Sequence, residues 1–94
     1  MAIPLRRNKF YLYSYCMWYV YILKSVEGNH WYVGCTDNLD RRLQEHNESD
    51  GFHTQKHAPW RIKNTVSFQD KKKAFAFEKY LKTQSGRAFT KKYL

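Results

Sequence analysis

An arginine and a histidine stand four positions apart in a stretch with helical periodicity. Arg42 and His46 fall on the inward side of that helix because the chain turns about 100° per residue. Arg41 falls on the opposite side, toward solvent. A guanidinium offers forked donors to a phosphate, and an imidazole can donate or relay a proton. The pair therefore predicts a phosphate site; the alternative is an arginine stem packed at a helix edge beside a hydrogen-bonded core histidine.

A glutamate interrupts the apolar side of a second predicted helix. Glu78 falls on the face that Ala74, Phe77 and Leu81 share. Burial of an ionised carboxylate costs on the order of several kcal/mol unless a cation or hydrogen-bond donors compensate. The position therefore predicts a partner. Two are considered: a divalent metal such as Mg²⁺, which takes carboxylate, water and phosphate oxygens, and a salt bridge to Arg42 or a nearby lysine.

The basic charge is concentrated in the C-terminal half. The net charge is +9, and residues 52–94 contain eleven basic and two acidic groups, whereas residues 18–51 contain three and six. Such a field favours nucleic acid through counterion release, and a merely soluble basic surface or attraction to anionic lipid is the alternative. The predicted phosphate contacts are Lys56, Lys71, Lys72, Lys73, Lys82, Arg87, Lys91 and Lys92.

A hairpin and a helix must position the first of these groups. Aromatic and β-branched residues at 18–24 and 30–33 flank a loop with Gly28 and Asn29, which predicts two antiparallel strands. Thr36, Asp37 and Asn38 can cap a helix over residues 39–47.

The remaining elements follow a loop at residues 52–59. Alternation over residues 60–68 predicts a strand with one inward row, interrupted by Asn64. Asp70 predicts a helix start, the helix running to about residue 84 and ended by Ser85 and Gly86, and residues 87–94 predict a final helix. The predicted order is β-β-α-β-α-α.

The length of 94 residues predicts one domain, from 18 to 94, after an optional N-terminal extension at 1–17. The apolar run at 10–23 includes five tyrosines and falls short of the roughly 20 residues of a membrane span, so we expect no membrane association.

The two cysteines, Cys16 and Cys35, form no metal-binding pair. Their spacing disfavours a zinc site with His53 and His57 and predicts free thiols in a reducing cytoplasm.

Several short motifs occur in a fixed order. The segment Tyr19-Val20-Tyr21 is followed by Tyr32-Val33-Gly34, and then by Arg42, His46 and Glu78. In this order and spacing they resemble the GIY-YIG nuclease superfamily over residues 18–94. The likeness is closest to short stand-alone bacterial members related to the nuclease domain of the bacterial nucleotide-excision endonuclease, the excinuclease. The resemblance implies an α+β fold with a three-stranded, mainly antiparallel sheet flanked by helices.

The resemblance also implies roles for the site residues. Tyr32 would position or deprotonate the attacking water, with Tyr21 hydrogen-bonding beside it. Arg42 would neutralise charge on the phosphate, and His46 would assist there or relay the proton. Glu78 would hold Mg²⁺ or Mn²⁺.

The implied activity is a metal-dependent endonuclease acting on nucleic acid, with DNA favoured over RNA, in repair or recombination. Two departures from the family pattern stand out: Tyr19 replaces the first glycine, and residues 87–94 contain no asparagine, with Thr90 and Lys91 nearest its usual place. The second departure keeps open a non-catalytic nucleic-acid-binding module. A third interpretation is a small basic RNA-associated structural protein.

Overall fold

A central antiparallel sheet organises the chain in a computed structural model, which describes residues 17–48 and 57–94. Its strands are β1 (Trp18–Ser25), β2 (Trp31–Thr36) and β3 (Trp60–Phe68), in the order β2-β1-β3. Strand β1 is rich in aromatic and β-branched residues, which favour extended backbone, and pairs with both neighbours. The predicted α+β fold and the order β-β-α-β-α-α are confirmed.

Three helices cover the two faces of the sheet. Helix α1 (Leu39–Glu48) packs on one face, and α2 (Lys71–Leu81) and α3 (Gln84–Tyr93) pack on the other. Successive side chains of a strand point to opposite faces, so β1 contributes to two cores. Tyr21 and Leu23 belong to the α1 side, and Val20 and Ile22 to the α2–α3 side.

Side-chain caps fix where α1 and α2 begin. The Asn38 side-chain oxygen accepts a hydrogen bond from the Arg41 backbone N–H at 3.0 Å. Asp70 accepts from the backbone N–H groups of Lys72 at 2.8 Å and Lys73 at 3.3 Å. These bonds satisfy donors that the first helical turn leaves open, and they confirm the predicted helix starts.

The predicted end of α2 is wrong. It ends at Leu81, and α3 begins at Gln84. Thr83 caps α3: its hydroxyl accepts from the Gly86 N–H at 3.0 Å and donates to the Tyr80 carbonyl oxygen at 2.6 Å. Any Cβ at position 86 would collide with that same carbonyl oxygen. The glycine therefore permits a tight corner between two helices and does not terminate the first.

The predicted single inward row of β3 is also wrong. The register of β3 against β1 shifts at Lys63, which is the additional residue of a β-bulge. Because a one-residue shift moves all later side chains to the other face of a sheet, the strand serves both cores. Trp60 packs on the α1 side, and Phe68 packs on the α2–α3 side.

Some predictions fall on residues outside the described ranges. These are the N-terminal extension up to residue 16, Cys16, His53 and Lys56. Cys35 is a free thiol. None of the helices in the described part of the chain is long and apolar enough to cross a bilayer.

Candidate active site

Two tyrosines and a histidine meet between the sheet and α1. Tyr21 lies in the central strand and is only 2% exposed, and its hydroxyl oxygen is 3.1 Å from Nε2 of His46. His46, on the inward side of α1, is 1% exposed. The ring of Tyr32, from the edge strand β2, has its centroid 4.5 Å from that of His46. The three polar rings therefore form one cluster on the α1 side of the sheet.

A glycine on the edge strand makes room for the Tyr21 hydroxyl. Gly34 is paired with Tyr21 in the sheet, and any Cβ at position 34 would overlap the Tyr21 hydroxyl and the end of its ring. The absence of a side chain lets the phenol lie across β2. Gly34 thus determines the position of the hydroxyl within the cluster.

Charged groups from two helices act on the Tyr21 hydroxyl. Burial raises the pKa of this phenol above its ordinary value, and the neighbouring Tyr32 phenol and the Glu78 carboxylate raise the pKa further. The Arg42 guanidinium acts in the opposite direction and lowers that pKa. The Tyr21 hydroxyl therefore keeps its proton at neutral pH, and both charges lie close enough to influence it.

The two arginines of α1 differ as the helical period predicts. The Arg42 side chain is 34% exposed, and its Nε is 3.4 Å from a carboxylate oxygen of Glu45. The Arg41 side chain is 54% exposed, with ion pairs to Asp37 at 3.8 Å and Glu45 at 3.7 Å. Arg42 thus lies on the side of the tyrosine cluster, and Arg41 lies toward solvent.

Glu78 approaches the same place from the opposite layer. Its side chain is 18% exposed, and its carboxylate pairs with Lys82 Nζ at 2.8 Å, one helical turn further along α2. The carboxylate also contributes to a raised pKa of the Cys35 thiol on β2, where burial is the larger cause. Because it acts on both Cys35 and Tyr21, the carboxylate lies near the edge strand. The salt bridge to a nearby lysine that was considered from the sequence is present, to the C-cap residue of α2.

A groove runs along this edge of the sheet. It has a volume of about 710 Å³ and lies between β2 and the corner that joins α2 to α3. Tyr32 borders it on the strand side. Three of the predicted phosphate contacts, Lys82, Arg87 and Lys91, line it on the helix side. These three cations therefore lie across the groove from Tyr32.

The other described candidates for phosphate contact lie elsewhere. The ammonium group of Lys71 is 4.9 Å from the centroid of the Trp18 ring, and that of Lys92 is 5.3 Å from the Tyr93 ring. Lys72 and Lys73 are exposed in the first turn of α2. The predicted basic set is thus divided between the groove and the surrounding surface.

Sequence reasoning missed His30 and Trp31, which also line the groove. Trp31 is 43% exposed although it stands in a strand next to Tyr32. The usable signal was its place near the turn of a hairpin, where alternation directs it away from the Tyr32 side. Its partner across the sheet, Lys24, is polar. An aromatic residue opposite a lysine indicates a surface position more than a core position.

Comparison with known proteins bears on this arrangement. The family model for the GIY-YIG catalytic domain matches residues 17–93. The chain belongs to the GIY-YIG nuclease superfamily. Membership implies a nucleic-acid substrate.

Two relatives resemble this GIY-YIG chain over 73% of its length. UPF0213 protein BH0048 of Halalkalibacterium halodurans is 37% identical over 70 residues, which cover 73% of that protein. UPF0213 protein VNG_2274C of Halobacterium salinarum is 34% identical over 70 residues, covering 90% of its length. The solution NMR structure of the UPF0213 protein BH0048 from Bacillus halodurans matches with a TM-score of 0.49 and 30% identity, over 79% of this chain and 81% of that chain.

GIY-YIG nucleases generally use divalent metals, and the residues of this site suit a hard cation. Among residues 17–48 and 57–94, no three His, Cys, Asp or Glu side chains gather as a metal cluster. Mg²⁺ needs only one or two carboxylates when waters and phosphate oxygens complete its shell. Glu78, half-buried and beside the tyrosines, offers one such carboxylate.

The last GIY-YIG helix retains the departure seen in the sequence. Helix α3 has no asparagine. Thr90 is buried at 6% exposure, and both Thr90 and Lys91 line the groove. A threonine hydroxyl and a lysine ammonium are therefore the polar groups that these two positions of α3 bring to the groove.

Proposed function

We propose that this chain is a metal-dependent endonuclease that hydrolyses phosphodiester bonds, preferably in DNA, during repair or recombination in the cytoplasm. Residues 18–94 would form the nuclease domain and residues 1–17 an optional extension. One observation supports the proposal most: the Tyr21 hydroxyl bonds to His46 and is influenced by Arg42, Tyr32 and Glu78 together. A buried group whose pKa is shifted by burial together with specific charged neighbours is typical of functional sites.

The two tyrosines would have different tasks. Tyr21 keeps its proton because burial raises its pKa, so it would act as a hydrogen-bond donor and hold the reacting groups in place. Tyr32, at the groove, would position the attacking water, and as it takes the water's proton it would release its own hydroxyl proton to His46. His46 contacts both phenols and would relay that proton away from the site.

Two charged groups would act on the phosphate. Arg42 would hold two phosphate oxygens and offset the negative charge that grows as the water attacks. Glu78 would hold Mg²⁺ or Mn²⁺, which when bound supplies charge neutralisation at the scissile phosphate and leaving oxygen. Lys82, now paired with Glu78, could then turn to a phosphate of the bound strand.

A nicking assay on supercoiled plasmid, with and without Mg²⁺ or Mn²⁺, tests the proposal. Arg42→Ala should lower the cleavage rate by on the order of 10²-fold, because the transition-state charge loses its partner. Arg41→Ala removes the same charge from the solvent side of the same helix and should have little effect. Absence of metal-dependent cleavage, or equal losses in the two variants, would overturn the proposal.

A binding module without catalysis is the second candidate. It is favoured by one observation, the lack of an asparagine in α3, where Thr90 is buried and Lys91 faces the groove. This function predicts metal-independent nucleic-acid binding and no nicking by the purified chain. Introducing the amide with Lys91→Asn would then test whether the missing group alone prevents cleavage.

A further inference from the structure

We propose that the groove between β2 and the α2–α3 corner holds an unpaired stretch of nucleic acid, with a base stacked on Trp31. This inference rests on the proposed function, because it places the strand along β2, beside Tyr32. It goes further in naming single-stranded or frayed nucleic acid as the preferred substrate. It also assigns Trp31 and His30 to its binding.

The first support is the form of the groove. Its volume of about 710 Å³ lies within the roughly 300–1,000 Å³ that small-molecule sites usually have. It can therefore take a base with its sugar and phosphate. A continuous duplex could touch the rim of such a groove but could not fill it.

The second support is the state of Trp31. Its indole is 43% exposed, and the Lys63 ammonium lies 5.1 Å from the ring centroid. A cation over an indole favours the observed ring position. Lys63 also donates to the backbone oxygen of Leu94, so it links the ring to the end of α3. An exposed and positioned indole is the kind of surface on which proteins stack unpaired bases.

The third support is charge complementarity. Lys82, Arg87 and Lys91 line the groove opposite the strand, and His30 lines it beside Trp31. No acidic residue is among the described residues that line it. Cations that follow a backbone beside an aromatic surface are typical of proteins that bind single strands.

The experiment measures the affinity of the full chain for a labelled oligothymidylate of about ten nucleotides, within the usual site sizes of single-strand binders. A blunt duplex of the same length serves as comparison. A chelating buffer excludes metal-dependent cleavage, so binding is read independently of catalysis. We expect tighter binding of the single strand than of the duplex.

Two matched pairs of variants assign the binding to the groove. Trp31→Ala should weaken oligothymidylate binding by about fivefold or more, since stacking is worth roughly 1–3 kcal/mol per base, and Trp31→Phe should restore part of it. Tyr93→Ala removes another exposed aromatic outside the groove and should change little. Lys91→Gln should reduce the salt slope by about 0.7, as expected for one phosphate contact on a single strand. Lys79→Gln, at an exposed lysine that does not line the groove, should not.

Several outcomes would overturn the inference. The first is equal affinity for the single strand and the duplex. The second is an equal loss of oligothymidylate affinity in Trp31→Ala and Tyr93→Ala. The third is that polyglutamate displaces the oligothymidylate equally well from wild type and from Trp31→Ala. Failure of the proposed function would give a different result. If single-strand binding depends on Trp31 but the protein does not nick DNA, the binding inference stands and only the catalytic proposal is wrong. If the protein nicks DNA but its single-strand binding does not depend on Trp31, only the binding inference is wrong.

Discussion

The Glu78 carboxylate, in the last turn of α2, and the ammonium of Lys82, the C-cap residue of that helix, lie 2.8 Å apart, with Lys82 51% exposed and Glu78 18% exposed. A pair with one half-exposed member contributes only about 0–1 kcal/mol. Lys82 also lines the groove, so a phosphate there can attract the ammonium away from Glu78. In the proposed mechanism the same carboxylate would be neutralised by Lys82 in the free protein and by a metal ion in the complex.

Lys82→Gln should therefore tighten Mn²⁺ binding in the absence of nucleic acid. Loss of a competitor worth up to about 1 kcal/mol predicts a gain of at most about fivefold. Titration of free Mn²⁺ by electron paramagnetic resonance measures the affinity. Lys79→Gln makes the same charge change one residue from Glu78, and a gain of equal size in this control would contradict a specific role of Lys82.

Glu78→Gln should abolish metal-dependent cleavage while leaving the fold intact. The carboxylate is the proposed metal ligand, but its ion pair contributes little to stability. The thermal midpoint of unfolding should consequently stay within a few degrees of the wild-type value. A change of about 1 kcal/mol in the free energy of unfolding shifts the midpoint of a domain of this size by roughly 4–8 °C. Collapse of the fold, measured by circular dichroism, would instead assign Glu78 a structural role.

Gly34→Ala should damage both stability and activity. The added methyl overlaps the Tyr21 hydroxyl and ring end, and overpacking of this kind costs about 1–3 kcal/mol. Urea unfolding measures the loss. Tyr21→Phe in the same chain removes the nearest colliding atom and should recover part of the stability lost at position 34. Additive losses in the double variant would show that the two residues do not compete for space.

The stability of the protein should fall at alkaline pH in a way that depends on Tyr21. Its pKa is raised in the folded state, so above the ordinary phenol value of about 10 the unfolded chain releases a proton that the folded chain retains. Linkage then makes unfolding easier as the pH rises. Denaturation between about pH 8 and about pH 11 should show a shallower decline in Tyr21→Phe than in wild type. Tyr93→Phe, at a 63% exposed position, should decline like wild type.

The local elements of this fold were predictable because their signals are local. Asn38 and Asp70 indicate two helix starts by their capping oxygens, and the aromatic runs indicate the hairpin. The bulge at Lys63 was not predictable, because Trp60 and Phe68 keep one alternating row in the sequence although the bulge directs them to different cores. Gly86 resembles a helix stop in the sequence because its need for close backbone contact with Tyr80 arises only in the folded chain.

The candidate site was likewise predictable only in part. The helical period placed Arg42 and His46 on the inward side of α1, and the structure places both side chains on that side. Nothing in the periodicity joins Tyr21 to Glu78, because the two belong to opposite layers of the sheet. Their approach depends on the edge position of β2, on Gly34 and on the packing of α2. The resemblance to GIY-YIG nucleases, and not the pattern of residues, brought them together in the sequence-based hypothesis.

The tight corner at Gly86 has a consequence for how the molecule opens. Because the backbone of α3 rests directly on that of Tyr80, and Thr83 bonds to both sides of the turn, the second and third helices must separate from the sheet as one cooperative unit. Local unfolding would then expose Glu78 and the groove cations in the same event. The amide protons of both helices should exchange with solvent at matching rates, and bound nucleic acid should slow both alike.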